Sequence, residues 1–229
     1  MFSEEMLAKL LPMLGLFGTG ILETIYMTAV STAFAYLIGL PLGLVLVVTD
    51  KEGITPKPIL NKTLGLAVNV LRSVPFIILL VALLPFTRMI VGTTLGSTAM
   101  IVSLVVAAFP FVARLVESSI KEVDRGVIEA AQSMGATPWQ IVSRVMLTEA
   151  APSLLVGAAI ATTTILSYSA MAGIVGGGGL GGIAINYGYY RRQEIVMLVA
   201  VALLVVIVQV FQEYGMRITR KIDKRQNEN

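Results

Sequence analysis

Residues able to do chemistry are few, and their spacing does not suit catalysis. The 229-residue chain has no Cys and no His, which removes thiolate nucleophiles, disulfides, imidazole bases, haem ligation by histidine and histidine metal sites. Its three aspartates, Asp50, Asp124 and Asp223, all fall outside the long apolar runs, so no aspartyl pair is available inside a membrane. The glycines of "GIVGGGGLGG", Gly176 to Gly179 with Gly181 and Gly182, have the density of a phosphate cradle. No Lys-Ser/Thr pair follows them, as G-x-x-x-x-G-K-[ST] requires, and the segment is read as a flexible breaker. Three features remain. Arg72 is the only charge well inside an apolar run, and Tyr168 and Met171 stand three apart, on one face of a helix. The third is the polar stretch Gly126 to Leu154, wedged between two apolar runs.

These residues sit in a membrane chain. Hydrophobic residues make up 56% and charged ones 14%, mean hydropathy is +0.84, and a soluble domain carries roughly 25% charged residues. An ion at the bilayer centre costs roughly 2.5–3.5 kcal/mol on insertion scales, so charges fence the spans. Five are expected: Thr24 to Val48, Thr63 to Phe86, one between Arg88 and Arg114, Ser153 to Ala172, and Ile195 to Gln212. No acid lies within these bounds. In the first span, Gly39, Pro41 and Gly43 form a small-residue patch with a kink, and G-x-x-x-G spacing suits a helix contact. In the second, Pro75 bends the helix, and Arg72 is read first as a side chain that snorkels or binds a carbonyl, with substrate contact as the second reading.

Basic residues orient the spans. Lys51, Lys57, Lys62, Arg114, Lys121, Arg125, Arg144, Arg217, Arg220, Lys221, Lys224 and Arg225 share one face; Lys9, Arg88, Arg191 and Arg192 lie on the other. That split places the polar hairpin and the C-terminus in the cytoplasm and the N-terminus outside. "MFSEEMLAKLLPML" lacks the basic n-region of a cleavable signal peptide, so the first apolar segment is read as a retained span. The net charge of +3 is spent on this asymmetry, and no nucleic-acid partner is expected.

The polar stretch reads as two short helices. Asp124 caps the first, Val127, Ala131 and Met134 recur at helical spacing, and Gly135 suits a left-handed C′ position. Thr137, Pro138 and Gln140 form a capping box with proline at N1. Periodicity alone fits an amphipathic linker on the membrane surface equally well.

The sequence "EAAQSMG", followed after nine residues by "VML", resembles the EAA signature of ABC-importer permeases. Glu129, Ala130, Ala131, Gly135, Val145 and Leu147 carry the match, while Thr148 stands where the family has proline. The helix is therefore expected to continue more smoothly into the next span. "LRSVPFIILL", "YSAMAGIVGGGGLGGIAINYGY" and the fifth apolar run extend the resemblance to the methionine-type (MetI) permease family over nearly the whole chain.

The resemblance implies an all-α integral membrane fold of five transmembrane helices, with a cytoplasmic coupling-helix hairpin between spans 3 and 4. Residues 1–229 would form one permease domain, with 124–149 as the coupling hairpin and 213–229 as a basic cytoplasmic tail. It implies a non-enzymatic subunit in the inner membrane, with a second copy of itself and surrounding lipid. Two cytoplasmic ABC ATPases, which carry the ATP and Mg, and an extracytoplasmic substrate-binding lipoprotein would complete the assembly. The chain itself would bind no cofactor and no metal. Tyr168 and Met171 are read either as helix packing or, if the two-fold axis runs along their span, as the lining of a pathway for methionine or a related amino acid. The alternatives are a permease for another amino acid or short peptide, and an ion-coupled carrier. An intramembrane hydrolase lacks its base, zinc site or aspartates.

Overall fold

The computed structural model describes residues 11–222, with side chains through Thr219. Lys9, Lys224 and Arg225, counted above among the orienting charges, lie outside them. After a short 3₁₀ turn, α1 spans Leu14–Val48, α2 Pro58–Ser73, α3 Phe76–Ala82, α4 Leu84–Val91 and α5 Ser97–Lys121. Then come α6 Arg125–Ser133 and α7 Pro138–Gln140, a π-helical stretch Ile141–Met146, α8 Leu147–Glu149 and α9 Ala151–Ala172. The chain closes with α10 Gly179–Ile183, a second π-helical stretch Ala184–Tyr190, and α11 Glu194–Ile222.

Four stretches are long and apolar enough to cross a membrane, and a fifth is obtained if the bent pair α2–α3 is one span. The pair is bent by 99°. Val74 is extended at the bend (φ −81°, ψ 124°), as expected of a residue whose α conformation is blocked by the following proline, here Pro75. The stretch expected as a straight second span is thus a bent pair of helices, and Arg72 lies in the last turn of α2.

Several boundaries drawn from charge need correction. α1 begins at Leu14, so Glu23 falls inside a candidate span. α5 begins at Ser97 and runs through Arg114 to Lys121. Arg114 is tolerated because its guanidinium donates to Gly65 O at 3.1 Å and Asn69 Oδ1 at 2.8 Å and pairs with Glu117. α11 extends well past Gln212, so the expected basic tail is helical as far as Ile222.

The chain divides into two compact units. The first comprises the described part of Met1–Ala33, Pro75–Ala107 and Thr162–Phe211. Met27, Phe76, Leu80, Met100, Leu104 and Ala172 form one core cluster there; Phe17, Leu180, Ile183, Val196 and Ala200 form another. The glycine segment, expected to be a flexible breaker, is a packed hairpin in this unit. A Cβ on Gly173 would lie 2.3 Å from Gly181 C, and one on Gly181 would lie 2.2 Å from Ala170 O. Glycine here provides backbone-to-backbone contact rather than freedom.

The second unit comprises Phe34–Val74, Ala108–Ala161 and the described part of Gln212–Asn229. In it α1 and α5 touch along the small-residue patch: a Cβ on Gly39 would be 2.7 Å from Val112 Cγ1, and one on Gly43 would be 2.6 Å from Ala113 O. The G-x-x-x-G spacing is a true helix contact.

Candidate functional site

The hairpin is held by its own caps. Asp124 Oδ1 accepts from Gly126 N at 2.8 Å and closes the start of α6. At its end Gly135 N donates to Gln132 O and Ala136 N to Ala131 O, at 2.9 and 3.1 Å. This is the paired pattern of a Schellman turn, and Gly135 takes the left-handed φ of +77° that the turn requires. Thr137 Oγ1 then accepts from Gln140 N at 3.3 Å, while Gln140 Oε1 accepts from Thr137 N at 2.8 Å. Two reciprocal bonds start α7 in a fixed direction.

What this frame presents outward is partly apolar. Of the three residues spaced along one face of α6, Ala131 is buried while Val127 and Met134 are exposed, Met134 by 82%. Trp139, in α7, is 75% exposed. Glu129, Ala130 and Gly135 are also exposed, and Val145 and Leu147 are half-buried. From Pro138 to Ala172 the chain stays helical except at Ala150, with a π-helical stretch between α7 and α8. Thr148 and Pro152 lie on either side of that one break.

At the hairpin's base two acids of the α1–α2 loop meet two bases. Asp50 Oδ2 lies 2.9 Å from Lys121 Nζ, and Glu52 pairs with Arg125. The hydrogen bond from Lys121 holds the Asp50 carboxyl below its usual range, and Glu52 pushes the Arg125 guanidinium further up. Loop and hairpin line an open cleft of about 490 Å³, to which Glu129 and Gln132 contribute.

Tyr168 and Met171 have different surroundings despite their shared spacing. Tyr168 stacks face to face on Phe76, with ring centroids 4.3 Å apart and planes 4° apart. Met171 is 46% exposed and opens into a recess of about 520 Å³, where Ile174, Ile185, Val201 and Val205 surround the polar Ser167 and Gln209. Arg72 is exposed, and its side chain makes no hydrogen bond or ion pair among the described residues.

The partnerships of four residues were invisible in the sequence. Glu23 Oε2 accepts from Gly179 N at 2.6 Å, and Thr24 Oγ1 accepts from Leu180 N at 2.9 Å, so α1 caps the glycine hairpin from a separation of 156 residues. Asp50 and Glu52 were equally silent, since a charged loop beside a span ordinarily signals only topology.

The sequence profile of the family described as "Binding-protein-dependent transport system inner membrane component" matches residues 39–221. The Vibrio cholerae serotype O1 protein "Probable D-methionine transport system permease protein MetI" is 51% identical over 203 residues, covering 89% of this chain and 90% of that protein. The Escherichia coli K12 "D-methionine transport system permease protein MetI" is 50% identical over 162 residues, 71% and 75% of the two chains. A solved structure of "Inward facing conformations of the MetNI methionine ABC transporter" superposes with a TM-score of 0.92 at 48% identity, covering 93% of this chain and 99% of that one. The match to the family profile spans most of the chain, and the all-helical fold and the EAA segment agree with it: the chain belongs to the binding-protein-dependent transport system inner membrane components and, within them, to the methionine-type permeases of ABC importers.

Proposed function

We propose that the chain forms the translocation pathway for methionine, or a closely related amino acid, in an ATP-driven importer. It takes its power stroke from separate ATPase subunits through residues 124–149. The observation that carries this reading is 51% identity over 89% of the chain to a protein named as a D-methionine permease. The hairpin supplies the physical means. Caps at both ends of α6 and at the start of α7 make it rigid, and Val127, Met134 and Trp139, exposed among the described residues, give it an apolar surface.

In this reading Glu129, Ala130, Ala131, Gly135, Val145 and Leu147 form the coupling segment. ATP and Mg reside on two cytoplasmic ATPases, a second copy of the chain completes the pathway, and a substrate-binding lipoprotein delivers cargo from outside. The hairpin and C-terminus face the cytoplasm and the N-terminus faces out. Met171 lines the pathway, where a polarizable thioether suits an apolar, sulfur-bearing cargo. Tyr168 shapes that lining through its stack on Phe76.

Uptake of labelled methionine by the reconstituted complex tests the reading. ATP-dependent uptake should be competed by unlabelled D- or L-methionine and unaffected by charged amino acids. Equal competition by unrelated amino acids would overturn the substrate assignment, and uptake without ATP would overturn the importer.

A further inference from the structure

If the hairpin is the contact for an ATPase, the parts fixed to its base share its motion. The α1–α2 loop is tightly built. Gly53 N donates to Asp50 O, Thr55 N to Val48 O and Lys57 N to Thr49 O, each at 3.0 Å. Asn61 Nδ2, in the first turn of α2, donates to Leu46 O at 2.6 Å and ties the loop's far end back to α1. Gly53 is enclosed, since a Cβ there would lie 2.4 Å from Val47 O and 2.5 Å from Val48 O.

From this loop Asp50 reaches Lys121, the last residue of α5, and Glu52 reaches Arg125, the first residue of α6. Between the two contacts Asp124 caps α6. Lys121 also bonds Glu117 Oε1 at 2.9 Å, and Glu117 pairs with Arg114, so the first contact belongs to a chain of charges. Exposed pairs add little to stability. Their effect is geometric: two contacts at either side of a capped turn fix a direction as well as a position.

We propose that Asp50 and Glu52 are positioning residues which, through Lys121 and Arg125, fasten the 49–57 loop to the stem of the hairpin, so that a force on the hairpin moves loop and stem as one body. This rests on the proposed coupling role. It assigns to the loop a second route by which the stroke reaches the end of α1.

Charge reversal in the reconstituted complex is the test. Glu52→Arg alone and Arg125→Glu alone should each lower substrate carried per ATP hydrolysed by about threefold or more, and the two together should recover most of it. Native ratios in the single variants, or no recovery in the double, would overturn the inference. A second measurement covers variants that fail to assemble. The chain has no cysteine, so Glu52→Cys with Arg125→Cys can be joined by a flexible bifunctional thiol reagent. Efficient joining with transport retained supports one moving body; failure to join, or transport lost on joining and restored by a cleavable reagent's release, overturns it. A native complex without ATP-dependent uptake would instead overturn the proposed function, leaving the fastening to be judged by joining alone.

Discussion

A carboxylate within an apolar helix is expensive to insert, and Glu23 offsets that cost by work at a distance. Its Oε2 takes the Gly179 amide and Thr24 takes the Leu180 amide, two donors that α10, a single helical turn, leaves open at its start. Leaving one such donor unsatisfied costs about 1–3 kcal/mol. Glu23→Gln keeps an acceptor oxygen and is expected to retain most of the stability of the purified chain, whereas Glu23→Leu should lower it by that amount, read by thermal unfolding in detergent. Equal losses in both variants would mean that the charge, not the acceptor, matters. Nothing local in the sequence announces this partnership. A glutamate at the border of an apolar run reads as a fence, and only the fold shows that it is a cap.

The elements divide by how local their causes are. The hairpin was readable because caps act over three or four residues: Asp124, Gly135, Thr137 and Gln140 all occupy the roles their spacing implied. The bent pair α2–α3 was half-readable, since Pro75 announced a bend but not one of 99°. The reach of α5 was unreadable, because Arg114 is satisfied by Gly65 and Asn69, distant in sequence. The glycine segment misled for a related reason, as close backbone packing and flexibility use the same residue. The hairpin turn offers a clean test. A Cβ at Gly135 would meet nothing within 4 Å, so any cost of substitution lies in the backbone, about 1–2 kcal/mol for an ordinary residue held in the left-handed region. Gly135→Asn should therefore retain the partner ATPase on purification better than Gly135→Val. Equal recovery from the two would show that the Schellman turn is not what the ATPase grips.

At the scale of the whole molecule, the distribution of charge favours one orientation in the membrane. Among the described residues, Lys51 and Lys57 in the α1–α2 loop, Lys62 in α2, Arg125 and Arg144 in the hairpin and Arg217 near the end of α11 fall in one set of the alternating segments between spans, and Arg88 in α4, Arg191 and Arg192 in the other. By the positive-inside rule the proposed orientation has the hairpin on the cytoplasmic side, where an ATPase would find it. A chain without cysteine allows this to be read with single thiols. The glycine hairpin is a poor place for one, because Gly178 has φ +74° and a Cβ there would lie 2.6 Å from Glu23 Oε2. Tyr189, 65% exposed and beside Arg191, is better, and Ser133 is exposed at the end of α6. Tyr189→Cys should react with an impermeant thiol reagent in intact cells, and Ser133→Cys only after permeabilisation. Reversed reactivity would place the capped hairpin outside, away from any source of ATP, and would remove the mechanical role from a segment whose caps make it rigid.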